Sequence, residues 1–183
     1  MKKKGTATRT ARPRQERLPE LLPVLRNALV KSAHAAGRVL LKYYVMPLEV
    51  REKKGAGLVT EADLAAERAV IAILAKVRPD FGFLSEEGNP EGSPGTSLRG
   101  RWIIDPLDGT TNFVHRFPMF CVSVAAEWDG QIVAGVIYHP VLKETYVATQ
   151  GGGAFINGKR LHVSTRARLR DSLLTTGFSY RKE

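Results

Sequence analysis

The 183 residues are enough for one domain with a sizeable core, or for a domain and part of a second. A composition that is 43% apolar and 25% charged fits a soluble globular protein, and no apolar run is long enough to span a bilayer or to form the core of a signal peptide. The formal net charge of +10 suggests nucleic acid until it is located: residues 1–17 carry +6 of it, and the rest, with 21 basic and 17 acidic residues, only +4.

That leader holds Lys2, Lys3, Lys4, Arg9, Arg12, Arg14 and Arg17 against Glu16 and lacks large apolar residues, so it is expected to be disordered, with the domain at 18–183. A solvated tail is the plain reading; transient contact with RNA or an acidic surface is the other. A single cysteine, Cys121, excludes an internal disulfide framework and points to a reducing cytoplasm.

From Leu21 to Tyr44 the spacing predicts a helix. Leu22, Leu25, Leu29, Ala33, Ala36, Leu40 and Tyr43 recur every three or four residues, and Pro19 and Pro23 fit only its entry. His34 lies within it as a partly exposed residue without metal-site spacing around it. Arg51 to Gly57 reads as a mobile basic loop, either a plain turn or a flap whose Lys53 or Lys54 approaches an anion. Thr60-Glu61-Ala62-Asp63 has the form of a capping box opening a second helix, whose stripe is Ala66, Val70, Ile73, Leu74 and Val77. By this reading Asp63 is a helix-start carboxylate.

Phe81 to Leu84 is a short predicted strand that runs into Ser85-Glu86-Glu87-Gly88, and Asn89 to Gly100 is a surface loop rich in Gly, Pro and Ser. Trp102-Ile103-Ile104 is a buried strand that breaks at Asp105-Pro106. Beyond Phe117 the pattern is antiparallel. Cys121 to Trp128 alternates, Asp129-Gly130 signals a hairpin, and Gln131 to Tyr138 and Glu144 to Thr149 follow as strands. Gly151-Gly152-Gly153 is a turn and not a phosphate cradle, because no helix start follows it. Asn157-Gly158 is a further tight turn, and Ser172 to Gly177 a last strand.

The stretch around Asp105 carries the chemistry. Within four residues it offers two carboxylates, Asp105 and Asp108, followed by Gly109, Thr110, Thr111 and Asn112. Acids so crowded repel each other unless a cation or a shared proton lies between them. Together with Glu86 and a backbone carbonyl they make an all-oxygen set, suited to a hard ion such as Mg²⁺, while the lack of convergent Cys or His argues against zinc. Gly109 lets backbone approach a phosphate, and Thr110 can orient a water for attack on phosphorus.

DPLDGTTNF, preceded by WII and an upstream SEEG, resembles the inositol monophosphatase family of Mg²⁺-dependent, lithium-sensitive phosphatases. LVTEAD ending at Asp63, the GGGAFING segment and the TTGF stretch fall in the family's order, so the resemblance covers about Leu21 to Phe178. It implies an α+β fold: the layered α/β/α/β/α sandwich of the inositol monophosphatase and sugar phosphatase type, here as a largely antiparallel sheet flanked by two long helices. It also implies an inositol-phosphate phosphatase, expected as a homodimer; the cytoplasmic, membrane-free expectation rests on the single cysteine and the lack of a long apolar run. Glu86, Asp105 and the Leu107 carbonyl would hold an activating metal. Asp105 and Asp108 would help hold a second. Thr110, hydrogen-bonded to Asp63, would position the water with Glu86 as its further catalytic partner. Glu86, Leu107, Asp108, Gly109 and Thr110 would bind substrate, and no phospho-enzyme would form. Glu87 would be an acid that either supports a metal ligand from behind or binds water.

One motif of the family does not occur. A C-terminal Trp-Asp pair normally completes the second metal site, yet Trp stands only at 102 and 128. The expectation is a C-terminally truncated member with a weakened second site, impaired catalysis and an exposed apolar sheet face. Thr111-Asn112-Phe113 favours the inositol branch over the bisphosphate nucleotidases; histidinol phosphate and fructose 1,6-bisphosphate stay open as substrates. The alternative is a non-enzymatic role in a transcription complex, since bacterial relatives act there and the basic leader suits it.

Overall fold

The computed structural model describes residues 17–47, 50–53, 57–86, 88 and 99–176. The basic leader up to residue 16, Lys54, Glu87 and the TTGF residues Gly177 and Phe178 lie outside them.

Helix α1 spans Leu18–Tyr44, and its buried stripe runs through Leu21, Leu25, Leu29, Ala33, Ala36 and Leu40, so Leu21 rather than Leu22 begins it. Pro19 lies in the first turn, where no N–H partner is needed. Pro23 gives up one helical bond, an interior cost of about 3 kcal/mol. Four buried leucines, each worth roughly 1.5–3 kcal/mol, outweigh it. Where the sequence suggested a mobile loop, β1 (Val50–Lys53) and β2 (Gly57–Thr60) pair as an antiparallel hairpin. Helix α2 (Glu61–Val77) then starts on the predicted capping box: Thr60 Oγ1 accepts from the Ala62 N–H at 3.1 Å, and Asp63 Oδ2 accepts from the Thr60 N–H at 2.8 Å.

Seven strands follow: β3 (Gly82–Ser85), β4 (Gly100–Asp108), β5 (Cys121–Trp128), β6 (Gln131–His139), β7 (Glu144–Thr149), β8 (Gly153–Ile156) and β9 (Lys159–Arg160). They lie side by side in chain order; β3 and β4 are parallel and all other pairs antiparallel. The short helix α3 (Thr110–Val114) interrupts the run between β4 and β5. The predicted Asp129-Gly130 and Asn157-Gly158 turns both have two successive positive φ angles, the geometry that matches strand twist. Instead of the last predicted strand, a single 3₁₀ turn at Leu169–Asp171 leads into irregular chain. Leu173 and Leu174 there are 100% and 66% exposed.

Strand alternation gives the sheet two unlike faces. In register, Trp102, Ala126 and Ala134 form one row and Ile104, Val124 and Val136 the next, all buried in one cluster with the stripes of α1 and α2. The helices pack on each other and on this face. Gly37 lets α1 come close: a Cβ there would meet the Tyr138 ring at 2.4 Å. The other face carries Ile103, Asp105, Ser123, Ala125, Ile137 and Tyr146. Neither long helix covers it; Ile137 is 47% exposed and a hollow of about 360 Å³ lies along it. The expected open apolar face is therefore present among the described residues. No described helix is long and apolar enough to cross a membrane.

Candidate active site

The parallel pairing of β3 with β4 puts two acid-bearing strand ends together. Ser85 pairs with Ile104, and the next amide, Glu86 N–H, donates to the Ile104 carbonyl at 3.1 Å. Glu86 thereby stands beside Asp105, as the sequence suggested for two strand ends joined by a loop. Asp105-Pro106 does not end the strand as expected. β4 continues to Asp108 through a bulge, pairing Asp105 with Ser123 and then Asp108 with Cys121. The additional residue re-aims the strand end, a common device beside active sites. Pro106 and Leu107 are buried at the bulge, and Asp105 Oδ1 accepts from the Leu107 N–H at 3.2 Å.

Gly109 follows in the left-handed region, φ 91°, and a Cβ there would lie 3.0 Å from the Met119 carbonyl oxygen. Glycine is what permits this turn. α3 starts at once, its Phe113 sealed by Tyr44 and Phe120 at ring distances of 5.4 and 4.9 Å. Asn112 Nδ2 donates to the Met119 carbonyl at 2.7 Å and closes the loop.

Thr110 Oγ1 lies 3.1 Å from both Asp63 Oδ1 and the Leu107 carbonyl oxygen. Its single proton serves one acceptor at a time. Asp63 is 1% exposed and its Oδ2 also accepts from the Thr60 hydroxyl at 2.7 Å. Burial raises the Asp63 pKa, while the donors from Thr60 and Thr110 hold it back. Asp63 is thus both the helix cap read from the sequence and the Thr110 partner that the resemblance implied.

Asp105 is pushed up to about 7, first by burial, then by the negative charges of Glu86 and Asp108; it also shares a hydrogen bond with Glu86. Two carboxylates can share such a bond only if one is protonated. Among the described residues no three His, Cys, Asp or Glu side chains converge as a ready metal-ligating group. Asp105 shares its hydrogen bond with Glu86, while Asp108 Oδ2 accepts from the Cys121 thiol at 3.6 Å. The donor set of Glu86, Asp105, Asp108 and the Leu107 carbonyl still fits a hard cation, because all are oxygens and the crowded carboxylates repel one another without a positive charge between them. A cleft of about 380 Å³ opens beside it, lined by Leu84, Ser85, Glu86, Ile104, Asp105 and Ser123.

Two neighbours were not anticipated. The Cys121 thiol, which in the sequence speaks only to redox compartment, contacts Asp108 and is pushed up to about 12 by burial and then by that charge. Glu67 is buried on α2 and accepts from the Ser85 hydroxyl. A charge on an apolar stripe four residues after Asp63 was the available signal. The glycine turn at 151–153 and Asn157-Gly158 close hairpins at the far edge of the sheet, as turns. His34 Nε2 is paired with Thr145 Oγ1 at 2.8 Å, a packing role.

The model of the inositol monophosphatase family matches residues 22–183. An inositol-1-monophosphatase of Mesorhizobium japonicum is 46% identical over 85% of this chain and 59% of its own. The Nus factor SuhB of Pseudomonas aeruginosa is 40% identical over 85% of this chain and 58% of its own. The crystal structure of the extragenic suppressor protein suhB from Bartonella henselae superposes with a TM-score of 0.74 at 48% identity, covering 78% of this chain and 55% of that one. The chain spans less than two thirds of the length of these curated relatives.

Proposed function

Because the chain belongs to the inositol monophosphatase family, we propose that it carries the metal and water-positioning half of a phosphomonoesterase site acting on inositol 1-phosphate or a similar small phosphate ester. The observation that carries this reading is the Thr110 hydroxyl set between Asp63 and the Leu107 carbonyl, beside the crowded pair Asp105 and Asp108. Relatives named inositol-1-monophosphatase support the substrate class.

In this reading Glu86, Asp105 and the Leu107 carbonyl hold one divalent ion, with Asp105 and Asp108 toward a second; Mg²⁺ suits the all-oxygen donors. Such an ion, when bound, acidifies water and offsets charge on the phosphoryl group. The chain's own residues do the rest. Donation of the Thr110 proton to Asp63 leaves a lone pair on the hydroxyl, which accepts from a water and orients its oxygen toward phosphorus. Asp63 stays in place because Thr60 holds its other oxygen. The N–H groups of Gly109 and Thr110 face the phosphate at the start of α3, where helical amides lack internal partners. The water oxygen bonds to phosphorus as the ester oxygen leaves and takes up a proton.

The test is Mg²⁺-dependent phosphate release from inositol 1-phosphate, lost in Asp108→Asn and inhibited by lithium. An unchanged rate in Asp108→Asn overturns the reading. Relatives named Nus factor support a second one, a binding role in a transcription complex through the basic residues 1–17. Salt-sensitive RNA binding that vanishes when those residues are deleted would favour it.

A further inference from the structure

We propose that Glu67 and Ser85 are positioning residues for Glu86, so that α2 holds both wings of the site. The proposal rests on the metal-ligand role given to Glu86 above.

Glu67 and Ser85 are 8% and 9% exposed, and the Ser85 hydroxyl donates to Glu67 Oε1. A carboxylate buried in an apolar stripe is costly, and a stripe position next to Ala66 and Val70 has no folding need for one. Its single side-chain partner among the described residues is the residue before Glu86. Glu86 itself is exposed and follows a strand of only four residues. What fixes its origin is therefore the end of β3, tied on one side to β4 through the Glu86 N–H and on the other to α2 through Ser85. One turn earlier on the same helix, Asp63 fixes Thr110. Residues four apart on a helix share a face, so one rigid element sets the Thr110 and Glu86 positions together.

The experiment is Mn²⁺ binding to the full chain by calorimetry. Ser85→Ala should weaken it by about tenfold, the lower range for outer-shell partners of metal ligands, while Glu67→Gln, which still accepts from Ser85, should stay within about twofold. The paired Glu67→Leu/Ser85→Ala variant leaves no buried polar atom alone and should keep its stability, yet it must also lose affinity. Unchanged affinity in both folded variants overturns the inference. Glu86→Gln separates the two claims. If it weakens Mn²⁺ while Ser85→Ala and the paired variant do not, positioning fails alone; if it too changes nothing, the metal-ligand reading fails and takes this inference with it.

Discussion

Thr110 Oγ1 stands 3.1 Å from Asp63 Oδ1, a contact between residues 47 apart that ties the start of α3 to the start of α2. Asp63 thereby serves two structures at once. Thr110→Ala should remove the orientation of the water and lower hydrolysis by about 10²–10⁴-fold with little loss of stability. Asp63→Asn should lower the rate as well and also cost about 1–3 kcal/mol, since an amide group replaces an oxygen that Thr60 needs as acceptor. Phosphate-release kinetics beside urea unfolding separates the two effects; equal stability in both variants would contradict the shared cap.

The pH dependence of cation binding follows from Asp105. Its carboxyl is held at about 7, against a usual 3.8. The folded chain thus binds this proton more tightly than the unfolded chain, and the stability it contributes is full below about 3.8 and lost as pH rises to about 7. A cation must displace that proton. Mg²⁺ should therefore raise Tm more near pH 8 than near pH 5.5, by offsetting the charges that deprotonation uncovers. Equal shifts at both pH values would count against the assignment.

Gly109→Ala should destabilise by about 1–3 kcal/mol, because φ 91° is a left-handed conformation and the new Cβ would press on a backbone carbonyl that cannot turn away. Circular dichroism in urea gives the number.

Gly37→Ala sets two effects against each other. Helix propensity favours alanine by about 1 kcal/mol, while overpacking against the Tyr138 ring costs about 1–3 kcal/mol. The Tyr138 ring lies against His34 at 4.3 Å and Pro140 stands 3.3 Å from the added methyl, so there is little room and the variant should be less stable.

Cys121 should alkylate slowly. A thiol held at about 12 instead of 9 carries about a thousandfold less thiolate near neutral pH. Adding Mn²⁺ should speed the reaction by offsetting the charges of Asp108 and Asp105, which iodoacetamide labelling at fixed pH would detect.

Much of this was legible in the residues. Alternation gave β5 its faces, Asp-Gly and Asn-Gly gave the turns, and Thr60 to Asp63 gave a helix start, because each is decided within a few residues. The hairpin at β1 and β2 was not, since its pairing depends on residues on both sides of a basic turn. The Ser172 strand failed for the converse reason: strand-like residues need an edge to join. Glu86 beside Asp105 was foreseeable from two acid-bearing strand ends, but the Glu67–Ser85 bond was not, as nothing local says which side of a helix meets which strand. The dual use of Asp63 needed both the capping box and the family resemblance to be seen.

Sheet order that follows chain order has a kinetic consequence. From β5 to β9 each strand pairs with the one just made, so the meander closes by short loops at little entropic cost. The site needs more: β4 and the parallel β3 must join through longer connections, and α2 must dock across the face to bring Asp63 to Thr110. Loop-closure entropy puts that step late, so a half-folded chain would hold a complete meander and no site. Recovery of cation binding during refolding would then lag behind recovery of β structure, a delay that stopped-flow measurements can time.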